Sequence, residues 1–236
     1  MKRVLFIAAS LAALNLAPAS AGATSLTFDF TVDHCTGTCG LPIGSSYGTV
    51  TLDDHGGSGS VSVDVALISG ASFVATGFPN GDDPTNAAFA FDLVGNPAVT
   101  VSPISAGWSL RNTAAGSLQF DGFGNFEYAL NCDLCGNGGS NPVPPPLQFT
   151  VSGTGLTAAS FLELSDGGSP SVYFVADIIG PNGRTGPVGA TLCTSDCGTV
   201  TQQDVVPEPA TLLLLGTGLG FIGRSVRRRS NKSRTS

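Results

Sequence analysis

The stretch from residue 22 to residue 206 contains no lysine, and its only basic side chains are Arg111 and Arg184. Sixteen Asp and Glu stand against them, a formal charge of −14, although the whole 236-residue chain carries only −7. A protein that neutralises phosphates needs Lys and Arg on its surface, so this stretch excludes a nucleic-acid partner. A single-sign surface of this kind resists self-association. Histidine is almost as scarce, with His34 and His55 alone, and no His-Glu-x-x-His occurs. That removes the zinc-protease pattern and leaves few general bases, so a protein that is not an enzyme is expected. Long apolar runs are missing too. The two candidates, Val4 to Ala17 and Ala210 to Gly223, are fourteen residues each, short of the ~20 that span a bilayer comfortably.

What the chain does have is glycine (32), proline (15) and fourteen spaced phenylalanines. After Gly22 the apolar residues fall into period two, the signature of strands with one buried face. Leu26, Phe28, Phe30 and Val32 alternate with Thr27, Asp29 and Thr31; Val61, Val63, Val65 and Leu67 follow the same rule. So do Phe89 to Leu93, Val99 and Val101, Phe126 to Leu130, Leu147 to Val151, and Val172 to Ala176. Gly56-Gly57-Ser58-Gly59, Asn80-Gly81-Asp82-Asp83-Pro84, Asp121 to Asn125 and Asp166-Gly167-Gly168 punctuate them as turns. The expectation is one all-β domain over residues 22–204, an antiparallel β-sandwich or jelly-roll-like fold. Only Leu156 to Leu164 has the pattern of a short helix, and Asn141 to Pro146 reads as a stiff connector between sheets.

Six cysteines form three close pairs: Cys35 with Cys39, Cys132 with Cys135, and Cys193 with Cys197. In an exported chain an even count points to disulfides, and six cysteines allow 15 connectivities, of which three local bridges are the simplest. Bridges between pairs, and a zinc site that adds His34, are the alternatives. Among the acids, Asn80, Asp82 and Asp83 group oxygen donors of the kind calcium takes. Asp53-Asp54-His55 reads as a turn, and Asp121 with Glu127 is the nearest thing to a glycosidase pair.

The two ends read as addresses. Met1-Lys2-Arg3, the run Val4 to Ala17 and the small-x-small triplet Ala19-Ser20-Ala21 form a signal peptide over residues 1–21, cut before Gly22 by signal peptidase. At the other end Pro207-Glu208-Pro209 precedes an apolar helix beginning Ala210-Thr211-Leu212-Leu213-Leu214-Leu215-Gly216 and ending at Gly223. Arg224, Arg227, Arg228 and Arg229 close it, and a polar tail, residues 230–236, follows. Basic flanks stay cytoplasmic, which places the acidic domain outside. This ordered triplet over residues 205–229 resembles the PEP-CTERM sorting signal. The resemblance implies recognition by exosortase, a membrane-embedded processing enzyme, removal of the tail near the motif, and a substrate that accompanies exopolysaccharide. On that reading the protein has one transmembrane helix, passes the periplasm while anchored in the inner membrane, and ends at the cell surface or in the extracellular matrix.

For the outer domain the leading expectation is therefore a structural or adhesive β-module without catalysis or cofactor. A carbohydrate-binding module, with calcium as an optional partner, is the second reading, and exposure of Trp108 or Tyr47 on a flat face would favour it. A secreted glycoside hydrolase is the third.

Overall fold

The computed structural model describes residues 23–57, 59–75, 87–112, 118–136 and 139–194. The signal peptide and the whole sorting segment lie outside the described residues, as do Asn80, Asp82, Asp83 and Cys197. The described chain is all-β and antiparallel. Its strands are β1 (Ser25–Asp33), β2 (Gly48–Asp53), β3 (Ser60–Leu67), β4 (Ser72–Phe73), β5 (Ala87–Phe91), β6 (Thr100–Ile104) and β7 (Trp108–Asn112). They continue as β8 (Leu118–Phe120), β9 (Gly124–Phe126), β10 (Tyr128–Cys132), β11 (Leu147–Ser152), β12 (Asp166–Gly167), β13 (Phe174–Ile179) and β14 (Thr185–Leu192). The expected helix shrinks to one 3₁₀ turn, Ala158–Phe161, whose first turn Thr157 and Ser160 close reciprocally.

The main sheet runs β6-β11-β3-β2-β1-β14-β13-β5-β10-β7, with β4 beside β13. Ten strands spaced ~4.8 Å apart would put the outer two about 43 Å apart if the sheet were flat. Yet β6 and β7 are joined by only Ser105, Ala106 and Gly107, a connection that reaches at most about 14 Å. The sheet must roll almost into a barrel, and the two layers of a sandwich become opposite walls of one curved sheet. Inside it Phe28, Phe30, Phe89, Phe91, Phe161 and Phe174 are fully buried. Phe28 meets Phe174 edge-on at 4.8 Å between centroids, and Phe91 stacks on Tyr128 at 5.3 Å. Each such side chain contributes up to about 3 kcal/mol of transfer free energy.

A second sheet, β12-β9-β8, covers the outside of β5, β10 and β13. The rings of Phe120, Phe123 and Phe126 pack there against Ala87, Ala90, Ala129 and Val175. Small residues on the barrel leave room for large ones on the cover, so β5 is buried at all five positions. Asp166-Gly167, expected as a plain turn, pairs with Asn125 and Gly124 and completes this cover. The proline-rich connector also docks, because Val143 and Phe73 exchange two backbone hydrogen bonds of 2.8 and 2.9 Å.

Candidate functional site

Where the strands end, the cysteines tie short loops. Cys35 bonds Cys39 and Cys132 bonds Cys135, with Cα atoms 5.4 and 5.3 Å apart. Cys193 is disulfide-bonded as well. Asp33, Cys35 and Cys39 form a compact group of metal-ligating type, but the two sulfurs are oxidised and the carboxylate is engaged. Asp33 accepts the Cys35 and Cys39 N–H groups at 2.8 and 2.9 Å and the Tyr47 hydroxyl at 2.5 Å. Burial first, then that hydrogen bond, pushes the Tyr47 phenol up. His34 stacks on Phe123 at 4.3 Å instead of joining the cysteines, so the zinc alternative has no ligand set here.

A cleft of 430 Å³ is lined by Asp92, Asn125, Glu127, Glu163 and Asp166, with no basic side chain among the described residues of its wall. Asp92 is 3 % exposed and accepts the Glu127 N–H at 2.6 Å. Burial, followed by the charges of Glu127, Glu163 and Asp166, lifts its carboxyl to about 7. Burial and Glu163 push Glu127 up, and burial with the charges of Glu127, Asp92 and Glu163 takes Tyr128 to about 12. Sequence reasoning paired Glu127 with Asp121; the structure leaves Asp121 exposed in the β8–β9 turn and gives Glu127 the company of Asp92. Nothing in the residue pattern marked Asp92, which sits one position beyond a fully buried strand.

The opposite wall of the barrel presents a different surface. On β1, β2, β3 and β11 the apolar alternates point inward, and the register aligns their outward partners into rows across the sheet. One row is Ser25–Asp53–Ser62–Thr150, the next Thr27–Thr51–Asp64–Gln148, and the third Thr191–Asp29–Thr49–Ala66, which begins on β14. None of these positions holds Lys, Arg or Glu. The short side chains bond one another: His55 Nε2 lies 2.8 Å from Ser62 Oγ, Ser60 Oγ lies 3.0 Å from Ser152 Oγ, and Gln148 donates to Asp64. At the β6 side a groove of 470 Å³ opens between Asp64, Gln148 and Thr150 and the aliphatic edge made by Pro103 and Ile104.

Asp53, His55 and Ser62 stand in the order of a nucleophilic triad, an arrangement sequence reasoning missed. The geometry does not activate the serine. Asp53 Oδ1 is 3.5 Å from His55 Nδ1 while it accepts the His55 backbone N–H at 2.8 Å, and both side chains are about half exposed. Ser62 lies mid-strand between β2 and β11, so the surrounding amides serve the ladder and none converges as an oxyanion hole. The chain also contains one Gly-x-Ser-x-Gly, residues 44–48. It enters a strand, not a helix, and Ser46 Oγ caps the turn by donating to the Gly48 carbonyl at 2.8 Å. The aromatic platform is overturned as well: Trp108 is 8 % and Tyr47 1 % exposed, and every Phe among the described residues is buried. Trp108 packs edge-on against Phe73 inside the barrel.

No helix among the described residues is long and apolar enough to cross a membrane; the helix expected at 210–223 lies outside them. A family model, the PEP-CTERM protein-sorting motif, matches residues 205–229. No curated protein and no solved structure matches the chain.

Proposed function

We propose that this chain, whose residues 205–229 carry a PEP-CTERM protein-sorting motif, is an exosortase substrate whose barrel acts at the cell surface as a structural and adhesive module. The motif match is the observation that carries the reading. It agrees with disulfide-tied loops, which persist in oxidising compartments. Signal peptidase would free Gly22, Arg224 and Arg227 to Arg229 would hold the tail on the cytoplasmic side during a transient inner-membrane stage, and exosortase would act near Pro207-Glu208-Pro209. Intact-mass measurement on surface material from a host with exosortase tests this: the mature chain should end near that motif, and material that still carries Arg227 to Ser236 would refute it. The second reading, a carbohydrate-binding module within a matrix, is favoured by one feature, the hydroxyl and carboxylate rows of the outer wall. Calcium at Asn80, Asp82 and Asp83 belongs to that reading. Melting the protein at matched ionic strength with calcium, sodium or chelator decides it, and equal midpoints would remove calcium.

A further inference from the structure

We propose that the outward face of β14-β1-β2-β3-β11 is a binding platform for an extended, uncharged, hydroxyl-rich polysaccharide chain, which lies across the strands along the row Thr27–Thr51–Asp64–Gln148. The inference rests on the second reading above, the carbohydrate-binding module, and gives it a ligand class and residues. Four features of the face support it.

The first is stiffness. Solvent-facing sheet positions commonly carry long Lys, Arg or Glu side chains, whose ordering costs most in rotamer freedom. This face has only short side chains and one glutamine, and Gln148 is already fixed by its bond to Asp64. A ligand therefore meets groups that are ordered before it arrives. The second is spacing. Successive members of a row sit on neighbouring strands, ~4.8 Å apart, close to the advance of one pyranose residue in an extended chain. Each sugar would meet one strand, and the row could be read in register.

The third feature is charge. Asp29, Asp53 and Asp64 accept hydrogen bonds from sugar hydroxyls, and hydrogen bonds to charged groups are the stronger kind. No cation lies in the rows, and residues 22–206 carry −14, so uronate or sulfate polymers are repelled and neutral ones are not. The fourth is shape. The groove beside Asp64 and Gln148 has the aliphatic edge of Pro103 and Ile104 on one side. A pyranose offers C–H faces to such an edge and hydroxyls to the polar floor. That edge takes the place of the aromatic platform that Trp108 and Tyr47 do not provide.

The test uses the full mature chain in affinity electrophoresis through gels containing soluble β-glucan, galactomannan or polygalacturonate. The neutral polymers should retard it and polygalacturonate should not. Thr51→Lys, which puts a long side chain across the row, and Gln148→Ala should each weaken retardation about tenfold with unchanged melting temperature. Asn125→Ala, on the cover sheet, should leave it intact. Retardation by neither neutral polymer, equal retardation by polygalacturonate, or wild-type behaviour of both row variants would overturn the proposal. Retardation by the neutral polymers that is lost in chelator would overturn it in favour of ion-mediated adsorption. Export and processing of the same variants, followed by mass, report separately on the sorting reading.

Discussion

Asp92 is a carboxylate almost wholly withdrawn from water. Its carboxyl ordinarily loses its proton near 3.8; burial first, then three neighbouring acids, raises it to about 7. Between about pH 4 and 7 the folded chain thus keeps a proton that the unfolded chain has released. By linkage the associated stability is fully present below about pH 4 and is lost as pH rises through 7. Glu127, also raised, acts in the same direction. Asp54 opposes them. Its burial would raise it, but the N–H groups of Thr24, Ala158, Gly56 and Gly57 outweigh that and lower it, so its contribution is lost as pH falls below the ordinary carboxylate range. We expect a higher melting temperature at pH 5 than at pH 8. General repulsion among sixteen acids has the same sign, so the variant decides the cause. Asp92→Asn can still accept the Glu127 N–H, and it should stabilise the protein at pH 8 by a few kcal/mol and flatten the pH dependence. An unchanged slope in Asp92→Asn would remove Asp92 as its source.

The small cover sheet depends on one backbone position in β14. A Cβ at Gly189 would lie 2.5 Å from Phe123 Cε1 and 2.7 Å from Val172 Cγ1, so only glycine lets the ring settle on the barrel. Gly189→Ala should cost about 1–3 kcal/mol by overpacking, and Phe123→Ala about 3–5 kcal/mol by emptying the same contact. Urea unfolding would read both. If either is neutral, the cover does not pack as described. The same elements explain what the residue pattern disclosed. β1, β3 and β11 have one wet face, so their alternation was legible, and their outward rows follow from it once register is known. β5 and β13 are covered on both sides, yet the residue pattern of both stayed legible, in β5 through the large-small alternation Phe89-Ala90-Phe91, whereas in β14, buried at five successive positions, it is erased. β14 also contains Gly186, Pro187 and Gly189, which read as loop composition until neighbouring strands on both sides supply the context. Leu156 to Leu164 had helical spacing but too little length to go beyond one turn. Trp108 was readable as a platform residue only because sequence does not tell which wall of a rolled sheet faces inward. The Asp92 cleft joins segments more than thirty residues apart, which no local pattern reveals.

At the scale of the whole chain, charge and processing are one problem. Residues 22–206 hold two arginines against sixteen acids, while eight of the ten basic residues sit in the two terminal segments. On the function proposed above those segments would serve membrane steps, Lys2 and Arg3 beginning the signal peptide and the arginine cluster holding the tail on the cytoplasmic side. Removal of both would turn a chain of formal charge −7 into one of about −14, with Glu208 adding one more if the cut falls after it. Cys35–Cys39 and Cys132–Cys135 are closed bridges. Each closes a loop of only a few residues, worth about 2 kcal/mol in the chain-entropy account, so alkylation without reduction should label no cysteine in the folded protein. The charge change gives a readout that needs no knowledge of the cleavage bond. Surface material should focus at a more acidic point than the full chain expressed without exosortase, and migrate faster toward the anode in native gels. Replacing Pro207-Glu208-Pro209 with alanines should hold the protein in the membrane fraction with its tail arginines and abolish the shift. Signal-peptide removal alone takes away only Lys2 and Arg3 at the side-chain level, so an intermediate of about −9 should accumulate in that variant. Surface material that focuses with this intermediate would mean that the tail stays on, and the motif would then act as an anchor and not as a cleavage signal.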